Sequence, residues 1–422
     1  GADAHARGRS FASVSETGSP ASRGPTTGPS ALCRLPGRRD QGSLHRSSTP
    51  REASHRAGDS VRARHDQGDR EVRLRGEADG RPRCCGRPSC RRDILKQQEE
   101  QCDDRSSGGA SSVFGRLDAG LAAREHRGVT TIRTPSVCLD FDLSPPEGAP
   151  VVTLVSGLGG QWTDWDEEFC RRLQATGRRV LRFDNRDAGR STHFDGEPVP
   201  DLLALVRGEK VPLPYGLDDM ADDVVALFDA LGIERSDVVG VSMGGMIAQC
   251  VAIRHPERVR SLTSIMSTTG APDVGQPHPE AVAVLLRAPA PDRETAVRQS
   301  LEAHRVLGSP GFPRPEAELA ARAAAAYDRA HDGLATARQL AAVLAAPDRT
   351  PALRRLSVPT LVVHGLADRL IDPSGGVATA AAIPGARYLG IEGMGHELPP
   401  AVWPIVIDAF VEVAGLAEAA PN

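Results

Sequence analysis

From residue 129 onward the chain alternates between two hydrophobic rhythms. VCLDFDL (137–143) has the period of two expected of a strand with one covered face and is read as an edge strand, whereas APVVTLVSG (149–157) is a continuous apolar run, as in a strand buried on both sides. DWDEEFCRRLQATG (164–177) spaces its apolar residues as one face of a helix, and RRVLRFDN (178–185) returns to strand. LDDMADDVVALFDALGI (217–233) is a second amphipathic helix with acids at its start, SDVVGVS (236–242) a further strand, and MIAQCVAIRHP (246–256) the helix after it. VRSLTSIMST, PTLVVHG, VATAAAIPG, ARYLGIEG and WPIVIDAFVEVAG continue the series. Apolar strands alternating with helices predict an α/β fold, a mostly parallel sheet with helices on both faces. Residues 275–350 are rich in alanine at helical spacing and hold no strand, which predicts a helical insertion, a cap over one end of the sheet.

Residues 1–128 have neither rhythm. They are a net basic mixture of Gly, Ser, Pro, Arg and Ala, too poor in apolar surface to offset the entropy of ordering, and are expected to be a disordered extension. Their arginines alternate with acids and have almost no aromatic company, so nucleic acid is not an expected partner. The cluster CCGRPSC (84–90) has no second pair at zinc-ligand spacing, so no metal is expected. The first methionine is Met220, and a valine, Val129, opens the first strand-like run. These features lead to the expectation that residues 1–128 are a translated upstream extension, that the folded domain covers 129–416, and that 417–422 form a tail.

Composition narrows the setting. With 422 residues and 40 % hydrophobic content the chain can build one large core. The domain's three scattered cysteines, Cys138, Cys170 and Cys250, read as reduced thiols of a cytoplasmic protein. No run of 18 apolar residues is present, and the first forty residues hold no apolar leader segment, so no membrane association is expected.

Chemistry concentrates at strand ends. In VGVSMGGM (239–246) Ser242 stands between a strand and a helix, with Gly240 two residues before it and Gly244 two after, the spacing of a tight nucleophile elbow. Asp368 follows PTLVVHGLA, and His396 follows ARYLGIEGMG. A serine hydroxyl needs an imidazole to accept its proton, and the imidazole needs a carboxylate to fix its tautomer. Asp372 also lies in the acid loop, HGLADRLIDP, but directly precedes Pro373 and suits a helix cap, so Asp368 is the expected acid. His396 lies in the glycine-flanked turn EGMGHELP. His278, His304 and His331 lie in the insertion and read as surface or packing residues, and His364 as packing under the acid loop. The backbone N–H of Met243 at a helix N-terminus, and that of Leu158 in the loop SGLGG (156–160), are the expected oxyanion donors. GLGG lacks the GK[ST] ending of a phosphate loop.

These residues resemble the α/β-hydrolase superfamily over roughly 129–416. RFDNRDAGRSTH (182–193), GVSMGGMIAQ, IRHPERV and GMGHELP make the chain similar to the bacterial branch containing aclacinomycin methylesterase. The resemblance implies an α/β-hydrolase fold with a water-excluding helical cap and no metal or organic cofactor. It implies a serine carboxylic-ester hydrolase acting on a small-molecule ester, with a methyl ester of a polyketide-like molecule as one candidate. Asp184, Arg186 and Asp187 are implied to brace the loops around the site. Ser156-Gly157 stands where many relatives have His-Gly. The same fold also hosts C–C bond hydrolases, lactonases and cofactor-free perhydrolases, and a non-catalytic binding protein is the alternative from another class. Leu285, Leu286, Val306, Leu307, Phe312 and Tyr327 are expected to give the cap an apolar underside. Oligomeric state is not legible.

Expression of residues 129–422 alone tests the reading of the extension. The shortened chain is expected to fold and to keep the full chain's hydrolytic rate; loss of either contradicts it.

Overall fold

The computed structural model describes residues 130–419. The expected extension, including CCGRPSC, lies outside the described residues.

One eight-stranded sheet organises the chain. Its strands are β1 (Thr130–Arg133), β2 (Cys138–Leu143), β3 (Val151–Val155), β4 (Arg179–Phe183), β5 (Ser236–Val241), β6 (Val259–Ile265), β7 (Thr360–Gly365) and β8 (Arg387–Ile391). They lie in the order β1-β2-β4-β3-β5-β6-β7-β8. β1, β2 and β4 pair antiparallel, and every pairing from β4 through β3 to β8 is parallel. β2 is therefore not the edge strand that its alternation suggests. β1 pairs along its outer side, and Asp140, at one of the polar positions that create the alternation, is fully buried in an ion-paired network.

The helices are α1 (Glu167–Gln174), α2 (Leu202–Val206), α3 (Leu217–Leu231), α4 (Met243–Arg254), α5 (Pro279–Leu285), α6 (Arg293–Leu307), α7 (Glu316–Arg329), α8 (Gly333–Leu344), α9 (Thr350–Leu353), α10 (Ser374–Ala382) and α11 (Trp403–Ala419). Local chemistry sets their ends. Asp166 accepts the Glu168 N–H to start α1, with two acids in its first turn and two arginines in its last. Gly232, at φ 67°, closes α3 in the left-handed conformation.

The period of two divides β3 between two cores. Val151 and Val155 of β3 join α3 and α4 on one face, with Met220, Val224, Phe228, Ile247 and Val251. Val152 and Leu154 join α1 and α11 on the other, with Phe169, Leu173, Val406 and Phe410. Pro400–Glu418 is long and apolar enough, at mean hydropathy 1.6, to pass for a membrane span by length and composition alone. Here Val406, Ile407, Phe410, Val413 and Ala414 lie in the second core. Cys170 and Cys250 are buried free thiols, whereas Cys138 is disulfide-bonded, so the reading of three reduced thiols fails at Cys138.

Helices α5 to α9 all lie between β6 and β7, and buried charge ties them to the sheet. Arg329 at the end of α7 reaches Asp140 of β2 at 2.5 Å and Asp184, just after β4, at 2.8 Å. Arg338 of α8, 2 % exposed, donates from Nε and Nη2 to the two oxygens of Asp187, both at 2.8 Å. Asp140 Oδ2 also accepts the Trp162 indole N–H at 2.9 Å, while its Oδ1 is buried without a partner.

Burial and the nearby Asp184 outweigh Arg329 and the indole, and push the Asp140 carboxyl from the ordinary 3.8 up to about 6. The folded protein thus holds a proton that the unfolded chain releases near 3.8. This group's contribution to stability is present below that value and is lost as pH rises through about 6. A shift of this size corresponds to roughly 3 kcal/mol. Chemical denaturation of the wild type and Asp140→Asn between pH 4 and 7 is expected to show the wild type losing stability relative to the variant as pH rises. A constant difference, or the opposite slope, contradicts it.

Candidate active site

Ser242 occupies the junction of β5 and α4 at φ 55° and ψ −121°, a backbone region that L side chains rarely adopt. The strand end and helix start are pressed together there. A Cβ on Gly240 would lie 2.0 Å from the Gly244 carbonyl oxygen, and one on Gly244 would lie 2.1 Å from that of Val155. Both positions therefore admit only glycine, and the elbow is wedged against the end of β3. The Ser242 N–H donates to the Ile265 carbonyl at 2.9 Å, fastening the turn to β6.

The other two strand-end residues converge on this serine. His396 Nε2 is 2.9 Å from Ser242 Oγ, and His396 Nδ1 is 2.7 Å from Asp368 Oδ2. A carboxylate only accepts, so Nδ1 carries the hydrogen and Nε2 is left to accept the serine proton. Asp368 Oδ1 is held by the N–H groups of Leu370 at 2.8 Å and Ile371 at 3.0 Å. Burial raises the Asp368 carboxyl, but the adjoining His396, His364 and these backbone donors reverse the effect and hold it well below the usual carboxylate range. Asp372 instead accepts the Ser374 N–H at the start of α10. His364 is fully buried beneath the acid loop, its Nε2 donating to the Ile371 carbonyl at 2.8 Å and lying 3.5 Å from Asp368 Oδ2.

The loop after β3 passes beside the serine: a Cβ on Gly157 would lie 3.3 Å from Ser242 Cβ. Among the described residues, the N–H groups of Met243 and Leu158 have no protein acceptor. Gly159 N–H is tied to Gln339 of α8 at 2.8 Å, and the Ser156 hydroxyl accepts the Trp165 indole N–H at 3.0 Å. Asp184, Arg186 and Asp187 do not line the cavity at Ser242. Asp184 accepts the N–H of Trp162 at 2.7 Å and of Arg190 at 2.9 Å, and Arg186 grips Asp223 with two bonds of 2.7 Å. Asp187, at φ 58°, accepts the Tyr215 hydroxyl at 2.6 Å besides Arg338.

Ser242 and His396 open into a cavity of about 420 Å³. Of the six apolar residues expected beneath the cap, only Leu285 and Leu307 line it. Leu286 is 40 % exposed, Val306 and Tyr327 face other cavities, and Phe312 packs against the second core. Much of the remaining wall is Trp165, Phe169, Met266, Leu398 and Trp403, from the body of the domain. These residues carry ordinary core periodicity, so no sequence signal distinguishes them. The charged members are Asp164, Asp166, Arg314, Arg322 and Glu397. Asp164 opens to the cavity although protein surrounds it, and that burial raises its carboxyl above the ordinary value. A cluster of His193, Asp195 and Asp332 has the spacing of metal ligands, but the guanidinium of Arg338 stands 3.6 Å from Asp332 and 3.8 Å from Asp195 and already supplies the cation.

The chain that places Ser242 after β5, Asp368 after β7 and His396 after β8 is similar to known proteins. Residues 150–399 match the family described as alpha/beta hydrolase fold. Rhodomycin D methylesterase DauP of Streptomyces sp. (strain C5) is 32 % identical over 281 residues, covering 62 % of this chain and 89 % of that protein. Rhodomycin D methylesterase DnrP of Streptomyces peucetius is 31 % identical over 283 residues, with the same coverage. Among solved structures, the enol-lactonase from Burkholderia xenovorans LB400 shares the fold at a TM-score of 0.52 and 23 % identity, covering 69 % of this chain and all of that one. The family match spans more than half of the chain and takes in Ser242, Asp368 and His396: the protein is a member of the alpha/beta hydrolase fold family.

Proposed function

We propose that this protein is a serine carboxylic-ester hydrolase. The observation that carries the reading is the unbroken hydrogen-bond chain from Ser242 Oγ through His396 to Asp368, with its serine end open to a largely apolar cavity. Ser242 Oγ attacks the acyl carbon while His396 Nε2 takes its proton, and Asp368 stabilises the imidazolium that forms. The N–H groups of Met243 and Leu158 receive the charge that develops on the carbonyl oxygen; both lack a protein acceptor and flank the serine in sequence or in space. His396 then returns its proton to the leaving alcohol. Water attacks the acyl-enzyme by the same route and frees the acid and Ser242.

Two relatives named methylesterases favour a methyl ester as the bond cleaved. The wall of Trp165, Phe169, Met266, Leu285, Leu307 and Trp403 favours a mid-sized, mainly apolar acyl part. The polar groups on the same wall leave room for a few hydrogen-bonding substituents.

Fluorophosphonate labelling followed by peptide mapping tests the nucleophile, and a panel of methyl and longer-chain esters tests the bond. Ser242 is expected to be the labelled residue. Ser242→Ala and His396→Ala are each expected to lower kcat by about 10⁴-fold or more. Unchanged turnover in Ser242→Ala, or labelling at another residue that is indifferent to His396→Ala, contradicts the assignment.

A further inference from the structure

His396 sits on a turn rather than on a strand or helix, so its backbone must be held by something else if Nε2 is to stay at the serine. The holder comes from the helical region. Directly after α6 the chain leaves in an extended conformation, Gly308 having φ −66° and ψ 175°, and runs antiparallel to the histidine turn. The His396 N–H donates to the Leu307 carbonyl at 2.7 Å. The Gly395 N–H donates to Ser309 Oγ at 3.0 Å, and the Ser309 N–H donates to Glu397 Oε1 at 2.7 Å. Further along, the Gly311 N–H donates to the Gly393 carbonyl at 2.9 Å. Four bonds thus join residues 307–311 to residues 393–397, the two backbone-to-backbone ones in opposed order.

The two segments touch as closely as backbones can. A Cβ on Gly395 would lie 2.2 Å from the Gly308 carbonyl oxygen, and one on Gly311 would lie 2.9 Å from Gly393 Cα. Ser309 is 4 % exposed, so its hydroxyl is fixed rather than exchanging with solvent. Leu307 links this contact to the substrate space: its carbonyl holds the His396 backbone while the residue lines the cavity at Ser242. Glu397, the residue next to His396, is steadied from the same region, with His304 Nδ1 at 3.7 Å and Arg314 Nη1 at 3.9 Å from Oε2.

We propose that residues 307–311 form a strap from the helical region that sets His396 against Ser242, and that Ser309 and Glu397 are its positioning residues. Neither donates to nor accepts from the reacting atoms; both act through the backbone on either side of His396. The base is then correctly aimed only while the strap is seated, so displacement of the helices would switch off proton transfer without altering Ser242 or Asp368. The inference rests on the reading of Ser242 as nucleophile and His396 as its base.

Steady-state kinetics on a cleaved ester, together with the rate of fluorophosphonate labelling, test it in the full-length protein. Ser309→Ala and Glu397→Ala are expected to lower kcat between about 10-fold and 100-fold, the usual consequence of a misplaced catalytic group, with KM held within about threefold. Labelling of Ser242 is expected to slow in parallel. Glu397→Gln keeps an oxygen for the Ser309 N–H and is expected to recover most of the loss. Should Glu397→Ala not fold, Ser309→Ala and Glu397→Gln still decide the matter through the same split of kcat from KM. A loss confined to KM, or kcat within twofold of wild type in Ser309→Ala and Glu397→Ala, overturns the strap while wild-type labelling at Ser242 stands. Absence of wild-type labelling at Ser242 overturns the nucleophile assignment and the strap with it.

Discussion

The structure depends on a steric constraint at Ser242. Three chain segments, the ends of β3 and β5 and the start of α4, converge so tightly that no side-chain carbon fits on Gly240 or Gly244. Ser242, between the two glycines, is held at positive φ. Such strain persists only where the surroundings over-determine it. Here the Ile265 carbonyl on one side and the buried apolar face of α4 on the other do so, with Ile247, Ala248, Val251 and Ala252 all in the core. The hydroxyl is lifted clear of the sheet as a consequence of packing, at the point where the loop after β3 and the turns after β7 and β8 can reach it.

A second layer of organisation is electrostatic. The DNRD loop holds three buried charges, and each has an opposite partner on a different helix: Asp184 with Arg329 of α7, Arg186 with Asp223 of α3, and Asp187 with Arg338 of α8. Buried pairs of this kind add little over a well-packed apolar contact, but breaking one strands a charge at a cost of about 3–5 kcal/mol. They are therefore better suited to fixing where α7 and α8 dock than to adding stability. With the contacts of residues 307–311 on the histidine turn, the helical region is fastened on two sides, once to the sheet and once beside the base. Its place over the cavity and the geometry of His396 become one property.

What was legible in the sequence follows from these two layers. Period and turn chemistry give the parallel sheet, the elbow and the three strand-end residues, because each depends on residues adjacent in sequence. Asp368 was separable from Asp372 because Asp372 stands before Pro373 and a helix start. Non-local facts were not legible. The alternation of VCLDFDL points to an exposed face, yet Asp140 lies buried because Arg329, nearly 190 residues later, meets it. Tyr327, Phe312 and Val306 are apolar residues of the insertion, but Val306 on α6 and Tyr327 on α7 face other cavities, and Phe312, between those helices, packs against the second core. Trp165, Phe169 and Trp403 read as core and are core, yet the same rings form the cavity wall. Ser309 carries no motif, and Glu397, although it lies within GMGHELP, has no partner in that motif; only the approach of two loops gives them a part to play.

In the proposed reaction, ester cleavage runs through an acyl group carried on Ser242 Oγ. Rapid acid quench during turnover of a slowly deacylating methyl ester, followed by mass spectrometry of the peptide containing Ser242, tests it most directly. This peptide is expected to gain the mass of the acyl group without its methanol, and the adduct is expected to disappear as the free acid accumulates. Formation of the acid at an undiminished rate while the Ser242 peptide stays unmodified throughout would contradict it.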